Sequence, residues 1–311
     1  MSPEARARTA LLLTACVLGT AATAFGVVVE TGDGSANTSA PADDPGFANV
    51  GHASNSLSGV YLEDRWVLTA AHVGEPAHFV FDDVAYATVP GSRIRLETAP
   101  GVNADLALVR LVSPPPLPPV VIASAGPAVG DVVTVIGNGR QRAASLICWD
   151  DIFEPTACGM GKPPAFKGYE TLDPRTLRWG RNAVTLIESE VTIAGSGTSI
   201  SFETCFDEAG VADEAQLVRG DSGGAAFLKR GVQWQLVGIL IAVRPEPGQP
   251  PDTAVFANES LIVDVAFYEP QIDAIVHPPL LVPLASAAAL VLCGIALALL
   301  ARRSLRRLRT A

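Results

Sequence analysis

From residue 47 to residue 276 the apolar positions come in short blocks rather than at helical spacing. The blocks are Gly59-Val60-Tyr61-Leu62, Trp66-Val67-Leu68-Thr69, Leu106-Ala107-Leu108-Val109, Val132-Val133-Thr134-Val135-Ile136, Val184-Thr185-Leu186-Ile187 and Leu236-Val237-Gly238-Ile239-Leu240-Ile241. They are rich in β-branched residues and bounded by Gly, Pro and Asp, which is how buried strands read. Glu63-Asp64-Arg65 separates two blocks and predicts a hairpin connection. Many short strands at these intervals predict an all-β barrel or sandwich. The run Ser113-Pro114-Pro115-Pro116-Leu117-Pro118-Pro119 cannot donate ladder hydrogen bonds, so it is expected to cross between two β-subdomains. A single helix is predicted over Val263 to Val276, and no internal repeat is present.

The ends follow a different pattern. Arg6 and Arg8 precede an uncharged stretch from Thr9 to Val29 that contains Ala22-Thr23-Ala24, the small-residue pattern of a signal peptide cut after residue 24. Two other readings stay open: an uncleaved anchor helix, since the apolar run continues through Val29, and a lipoprotein box at Leu13-Thr14-Ala15-Cys16. Residues 25–46 include TGDGSANTSAPADDPG, small and polar without periodicity, and are expected to form a flexible linker. Leu280 to Ala301 is free of charge and long enough to cross a bilayer as a helix. The arginine-rich residues 302–311 then place the C-terminus in the cytoplasm and the body of the chain outside it, which predicts export and a single-pass membrane anchor. The same tail also resembles the tripartite sorting signals of bacterial surface proteins, in which case it is removed.

With 311 residues, 49% hydrophobic and 17% charged, the chain can bury a substantial core, and disorder throughout is excluded. The formal charge is −10, yet seven arginines sit in the two termini, so the middle is more acidic still. An acidic body repels phosphate backbones, and nucleic acid is excluded as a partner. Cys16 and Cys293 lie in the apolar ends, leaving Cys148, Cys158 and Cys205. Cys148 and Cys158 flank a turn-rich stretch and are the expected disulfide, with Cys205 a buried free thiol. Neither a CxxC pair nor HExxH occurs, so no metal is expected.

Three segments carry candidate chemistry. Gly220-Asp221-Ser222-Gly223-Gly224 places a serine in a glycine-flanked turn that can expose its hydroxyl and turn backbone N–H groups toward one point. A serine hydroxyl needs a base, for which imidazole is suited. Of four histidines, His72 follows the strand block ending Thr69-Ala70-Ala71, while His52, His78 and His277 lie in more polar or membrane-adjacent settings. The imidazole in turn needs a carboxylate to fix its tautomer, and Asp105 stands at the start of the block Leu106-Ala107-Leu108.

Thr69-Ala70-Ala71-His72, Asp105-Leu106-Ala107-Leu108 and Gly220-Asp221-Ser222-Gly223-Gly224, in this order, resemble the chymotrypsin/trypsin-like serine proteases over about residues 49–274. Arg178-Trp179-Gly180-Arg181-Asn182 and Glu214-Ala215-Gln216 look like bacterial members of that family. The resemblance implies two six-stranded antiparallel β-barrels and an endopeptidase acting on proteins or peptides without a cofactor. It makes His72 the general base and acid, Asp105 its orienting partner and Ser222 the nucleophile, with the N–H groups of Gly220 and Ser222 as oxyanion hole. Gln216 would sit at the base of the primary pocket, and Ile241-Ala242-Val243 would line the substrate.

The chain departs from the pattern in several places. No Ile-Val-Gly-Gly activation sequence precedes the domain, where Phe47-Ala48-Asn49-Val50-Gly51 stands instead; in the family the freed amine of such a sequence pairs with the aspartate before the nucleophile, here Asp221. Ala225 replaces the usual proline, and Ile241-Ala242-Val243 replaces Ser-Trp-Gly. These departures keep open a second expectation, a catalytically silent trypsin-like module that binds a partner through the old cleft.

Overall fold

The computed structural model describes residues 27–159 and 163–279. The expected signal peptide, membrane helix and basic tail lie outside the described residues. Among the described residues no helix is long and apolar enough to cross a membrane.

The chain begins with β1 (Val28–Val29), followed by a first sheet built from β2 (Val50–Ala53), β3 (Ser58–Tyr61), β4 (Trp66–Thr69), β5 (His78–Phe81), β6 (Val84–Ala87), β7 (Ile94–Ala99) and β8 (Val102–Arg110). Its spatial order is β6-β5-β2-β3-β4-β8-β7. The β3–β4 connection is the expected hairpin. Asp64 and Arg65 both have positive φ, 49° and 73°, the handedness a two-residue turn needs to match strand twist. The sheet rolls up, because Val89 N–H donates to Arg110 O at 2.8 Å and Val112 N–H to Ala87 O at 2.8 Å.

The second half contains β9 (Val132–Gly137), β10 (Arg140–Arg142), β11 (Ile147–Trp149), β12 (Pro155–Thr156), β13 (Phe166–Arg175), β14 (Arg178–Ile193), β15 (Gly197–Cys205), β16 (Ala215–Gln216), β17 (Ala225–Arg230), β18 (Gln233–Arg244), β19 (Thr253–Val255) and β20 (Glu259–Asp264), and ends in α1 (Val265–Val276). β14-β15-β20-β18-β17-β9 close into a six-stranded barrel, while β10 to β13 and β19 form a smaller sheet and β16 pairs with β1. The expectation of two six-stranded barrels therefore matches the second half in strand count, whereas the first half is a rolled seven-stranded sheet. All pairing between these strands is antiparallel. The fold is mostly β.

Val133, Val135, Val184, Phe202, Val237 and Leu240 fill the barrel. A larger cluster joins Val60, Leu68 and Phe79 of the first sheet to Ala225, Ile239 and Val263 of the barrel, and Tyr268 and Ile272 of α1 pack into it. α1 starts at Asp264, whose side chain accepts the Ala266 N–H at 3.0 Å, a capping contact that satisfies one orphan donor. The proline-rich run contains no strand and joins the halves: Val120 N–H donates to Leu62 O and Leu236 N–H to Val121 O.

Residues 25–46 do not behave as the flexible linker expected of them from Val27 onward. Val27, Val28 and Val29 are buried, Trp179 donates its N–H to Asn37 O at 3.1 Å and its indole to Ser39 O at 2.9 Å, and Lys229 and Trp234 hold Asp43. Small polar residues here present backbone carbonyls and one carboxylate to a ready set of donors. Cys148 and Cys158 form the expected disulfide. Cys205 is free but only half-buried rather than enclosed, and burial pushes its thiol up to about 11.

Candidate active site

Thr69 ends β4 and pairs with Ala107 of β8, so the segment after Thr69 lies against Asp105, two residues before Ala107. There the backbone turns through a single 3-10 turn, Ala71–Val73. Asp105 is fully buried. Its Oδ1 accepts the His72 backbone N–H at 2.8 Å, and its Oδ2 lies 2.7 Å from His72 Nδ1. Ser199 of β15 accepts the Asp105 N–H on its hydroxyl at 2.9 Å, and the Arg93 guanidinium donates to Ala71 O. Neither residue belongs to a recognisable motif, and only the pairing of distant segments brings them here. A side chain 25% exposed on His72 faces one with none on Asp105, so the ring is held from behind and open in front.

The serine segment is a turn that only glycine can make at two positions. Gly220 has φ 114° and Gly223 φ 87°, and a Cβ at Gly223 would collide with Ser58 O and Thr69 Oγ1. The turn is tied to the first sheet. Ser58 N–H donates to Ser222 O at 2.7 Å, Ser58 Oγ donates to Gly220 O at 3.1 Å, and Thr69 Oγ1 donates to Ser58 O at 2.7 Å. The N–H groups of Asp221, Gly223 and Gly224 are engaged by Val218 O, Leu240 O and Asp221 O, whereas those of Gly220 and Ser222 meet no acceptor among the described residues. Of residues 220–224 only Ser222 is not buried. Its Oγ lies 3.5 Å from Ile241 O, and no hydrogen bond joins it to His72 among the described residues. The hydroxyl faces the carbonyl of β18 instead.

Asp221 points inward. It is buried and accepts N–H groups from Gly139 at 2.7 Å, Val218 at 2.7 Å and Val27 at 3.4 Å. Burial outweighs these donors and raises its carboxyl to about 6. The segment that reaches it is thus Val27–Val29 and not the Phe47–Gly51 stretch. Phe47–Asn49 forms a 3-10 turn whose Asn49 amide binds Tyr61 O and Pro118 O.

Of the remaining candidate residues Ile241 meets the serine, while Gln216 and Val243 line a cavity that Ser222 and His72 do not line. β17 pairs with β18 from Arg230 down to Ala225 opposite Ile239, so Ile241-Ala242-Val243 has β20 on one edge and, among the described residues, no strand on the other. Val243, Gln216, Val218 and Arg219 line a cavity of about 250 Å³. Gln216 is buried, and its amide donates to Asn258 Oδ1 at 3.2 Å. His52 lines a separate, wider hollow with Asn138 and Arg175, His78 opens β5, and His277 pairs with Asp273 and Glu63.

The described fold is similar to that of several solved structures at low identity. An inactive form of the Rv3671c serine-to-alanine mutant from M. tuberculosis H37Rv is 16% identical, with 76% of this chain and 90% of that one covered and a TM-score of 0.44. A mutant of human heparin binding protein (CAP37) is 16% identical, with coverage of 79% and 98% and a TM-score of 0.49. Neuropsin, a serine protease expressed in the limbic system of mouse brain, is 19% identical, with coverage of 77% and 97% and a TM-score of 0.46. No curated protein matches the sequence. The trypsin-like peptidase domain matches residues 57–239, more than half of the chain, and the chain belongs to that family.

Proposed function

We propose that the chain is a serine endopeptidase in which Ser222, His72 and Asp105 work as a triad. The observation that carries this is the double hold of Asp105 on His72, through ring and backbone, beside a serine turn with two unengaged N–H groups. His72 Nε2 takes the Ser222 proton as Oγ bonds to the substrate carbonyl carbon. The oxyanion then lies between the N–H groups of Gly220 and Ser222, one such donor contributing about 3 kcal/mol to the transition state. The C–N bond breaks as His72 protonates the departing amine, which leaves an acyl ester on Ser222. Water, deprotonated by His72, attacks that ester and releases the acid, returning the proton to Ser222. No cofactor enters this sequence.

The unpaired edge of Ile241-Ala242-Val243 suits an extended peptide added as a further strand. Gln216 is neutral, Asp252 in the same cavity wall is already paired with Arg140, and Arg219 adds a positive charge there, which disfavours a buried Arg or Lys of the substrate. In the same reading the chain is exported and held outside the cytoplasm by residues 280–301, with its C-terminus inside and bacterial in type.

The turn of Ser222 Oγ toward Ile241 O favours the second reading, a silent binding module. A fluorophosphonate probe on the full chain separates the two. Labelling lost in Ser222→Ala and in His72→Ala supports the triad; a folded parent that never labels supports the module. A reporter fused after Ala311 tests the topology, and an extracytoplasmic signal would overturn it.

A further inference from the structure

Arg142 is among the most buried charged side chains of the barrel half, 4% exposed, and backbone carbonyls surround it. Nε donates to Val29 O at 2.7 Å, and Nη2 donates to Glu30 O at 2.9 Å, Gly32 O at 2.7 Å and Thr31 O at 3.3 Å. Nη1 donates to Ala143 O at 2.9 Å and Ala144 O at 3.3 Å. The guanidinium lies 3.9 Å over the Tyr169 ring, and Tyr169 OH donates to Glu30 O at 3.4 Å. A planar fork of fixed donors is suited to gathering several carbonyls at once, which an ammonium is not.

What Arg142 grips is the segment that touches the serine turn from behind. Val29 and Val28 pair with Ala215 and Gln216, just upstream of the turn, and Val27 donates to Asp221. The same β10 stretch that carries Arg142 is preceded by Gly139, whose N–H also lands on Asp221. In the full chain Gly26 precedes Val27, so there the group on Asp221 is an amide N–H. An amide brings no charge to hold it there, and the holding must come from elsewhere.

We infer that Arg142 is a positioning residue for the serine turn: by gripping residues 29–32 it keeps the Val27 amide on Asp221 and fixes Gly220-Asp221-Ser222 without a freed amino terminus. The catalytic part rests on the peptidase reading; the grip on the strap does not.

The test compares the full chain with Arg142→Ala, Arg142→Lys and Tyr169→Leu by hydrogen exchange over residues 27–34 and 215–224 and by fluorophosphonate labelling rate. Arg142→Ala should speed exchange in both segments and slow labelling about tenfold or more. Millimolar guanidinium should restore part of the rate in Arg142→Ala and none in the parent. Arg142→Lys should not restore it, because it keeps the charge and loses the fork. Tyr169→Leu should give a smaller effect, and it carries the test alone if neither Arg142 variant folds. Mass spectrometry of the labelled parent should find a chain that starts upstream of Val27. Unchanged exchange in both segments, a loosened strap with an unchanged serine turn, or labelling confined to molecules that begin at Val27 would each overturn the inference. A parent that never labels refutes the peptidase reading, and the exchange arms still decide the role of Arg142.

Discussion

Asp105 holds His72 at two points, the ring Nδ1 at 2.7 Å and the backbone N–H at 2.8 Å, from a position with no exposure to solvent. The backbone contact fixes where the residue sits, and the ring contact fixes which nitrogen carries the proton. Asp105→Asn should keep the first and invert the second, because an amide N–H facing Nδ1 forces the proton onto Nε2. Labelling and peptide hydrolysis should then fall about 10⁴-fold with the fold intact by circular dichroism. A loss under about tenfold would remove Asp105 from the mechanism.

Ser199 supports Asp105 from the other half of the molecule. Ser199→Ala leaves the buried Asp105 N–H without a partner and should cost about 1–3 kcal/mol of stability, read as a lower denaturant midpoint. A several-fold fall in kcat with KM unchanged should accompany it, since the shift acts on His72 and not on substrate contacts.

Two buried carboxyls set the pH response. Burial raises Asp221 to about 6 and Glu214 to about 7, so the native chain keeps protons that the unfolded chain has released. Stability therefore falls as pH rises from about 4 to about 7; Asp264, also raised by burial, adds to that fall, and His277, raised by its bond to Asp273 and by Glu63, extends it above the ordinary imidazole range. Glu203, whose carboxyl Arg244 and Ser189 hold below its usual range, acts with the opposite sign and only at lower pH. Glu214→Gln should flatten the slope between about pH 4.5 and 7 by about 2 to 3 kcal/mol, measured by chemical unfolding at a series of pH values. An unchanged slope would show that Glu214 is ionised in the native state.

Alkylation should sort the cysteines of the body. Cys205 should react slowly at neutral pH, its thiol being raised to about 11. Cys148 and Cys158 should react only after reduction, and peptide mapping distinguishes the three.

Much of the strand framework was legible because each block falls on one strand, and Asp64-Arg65 supplies the turn between two of them; the block Val184-Thr185-Leu186-Ile187 differs in lying mostly on the surface, with only Val184 buried. His72, Asp105 and Ser222 were legible as motifs, and the structure brings His72 and Asp105 into contact. The Val27–Val29 segment was not: its apolar run continues that of the preceding residues and reads as the end of an export signal. Its partners, Ala215, Gln216 and Arg142, are more than a hundred residues away, and no local pattern announces such a pairing. Ser58 and Ser199 were hidden for the same reason. Each is a single small polar residue in a strand, and its importance comes from what the other half places beside it. The seven-strand count of the first sheet depends on β6, a mostly exposed strand that hydrophobic blocks do not reveal.

Ser58 belongs to the first sheet, where the Thr69 hydroxyl holds its carbonyl, yet it fastens the backbone of a turn that the barrel carries. Ser222 is thus mounted across the seam between the halves and not on either one. A ligand that wedges the halves apart by a fraction of an ångström would disarm the serine while leaving every strand in place. Heating should likewise extinguish labelling before it melts the sheets.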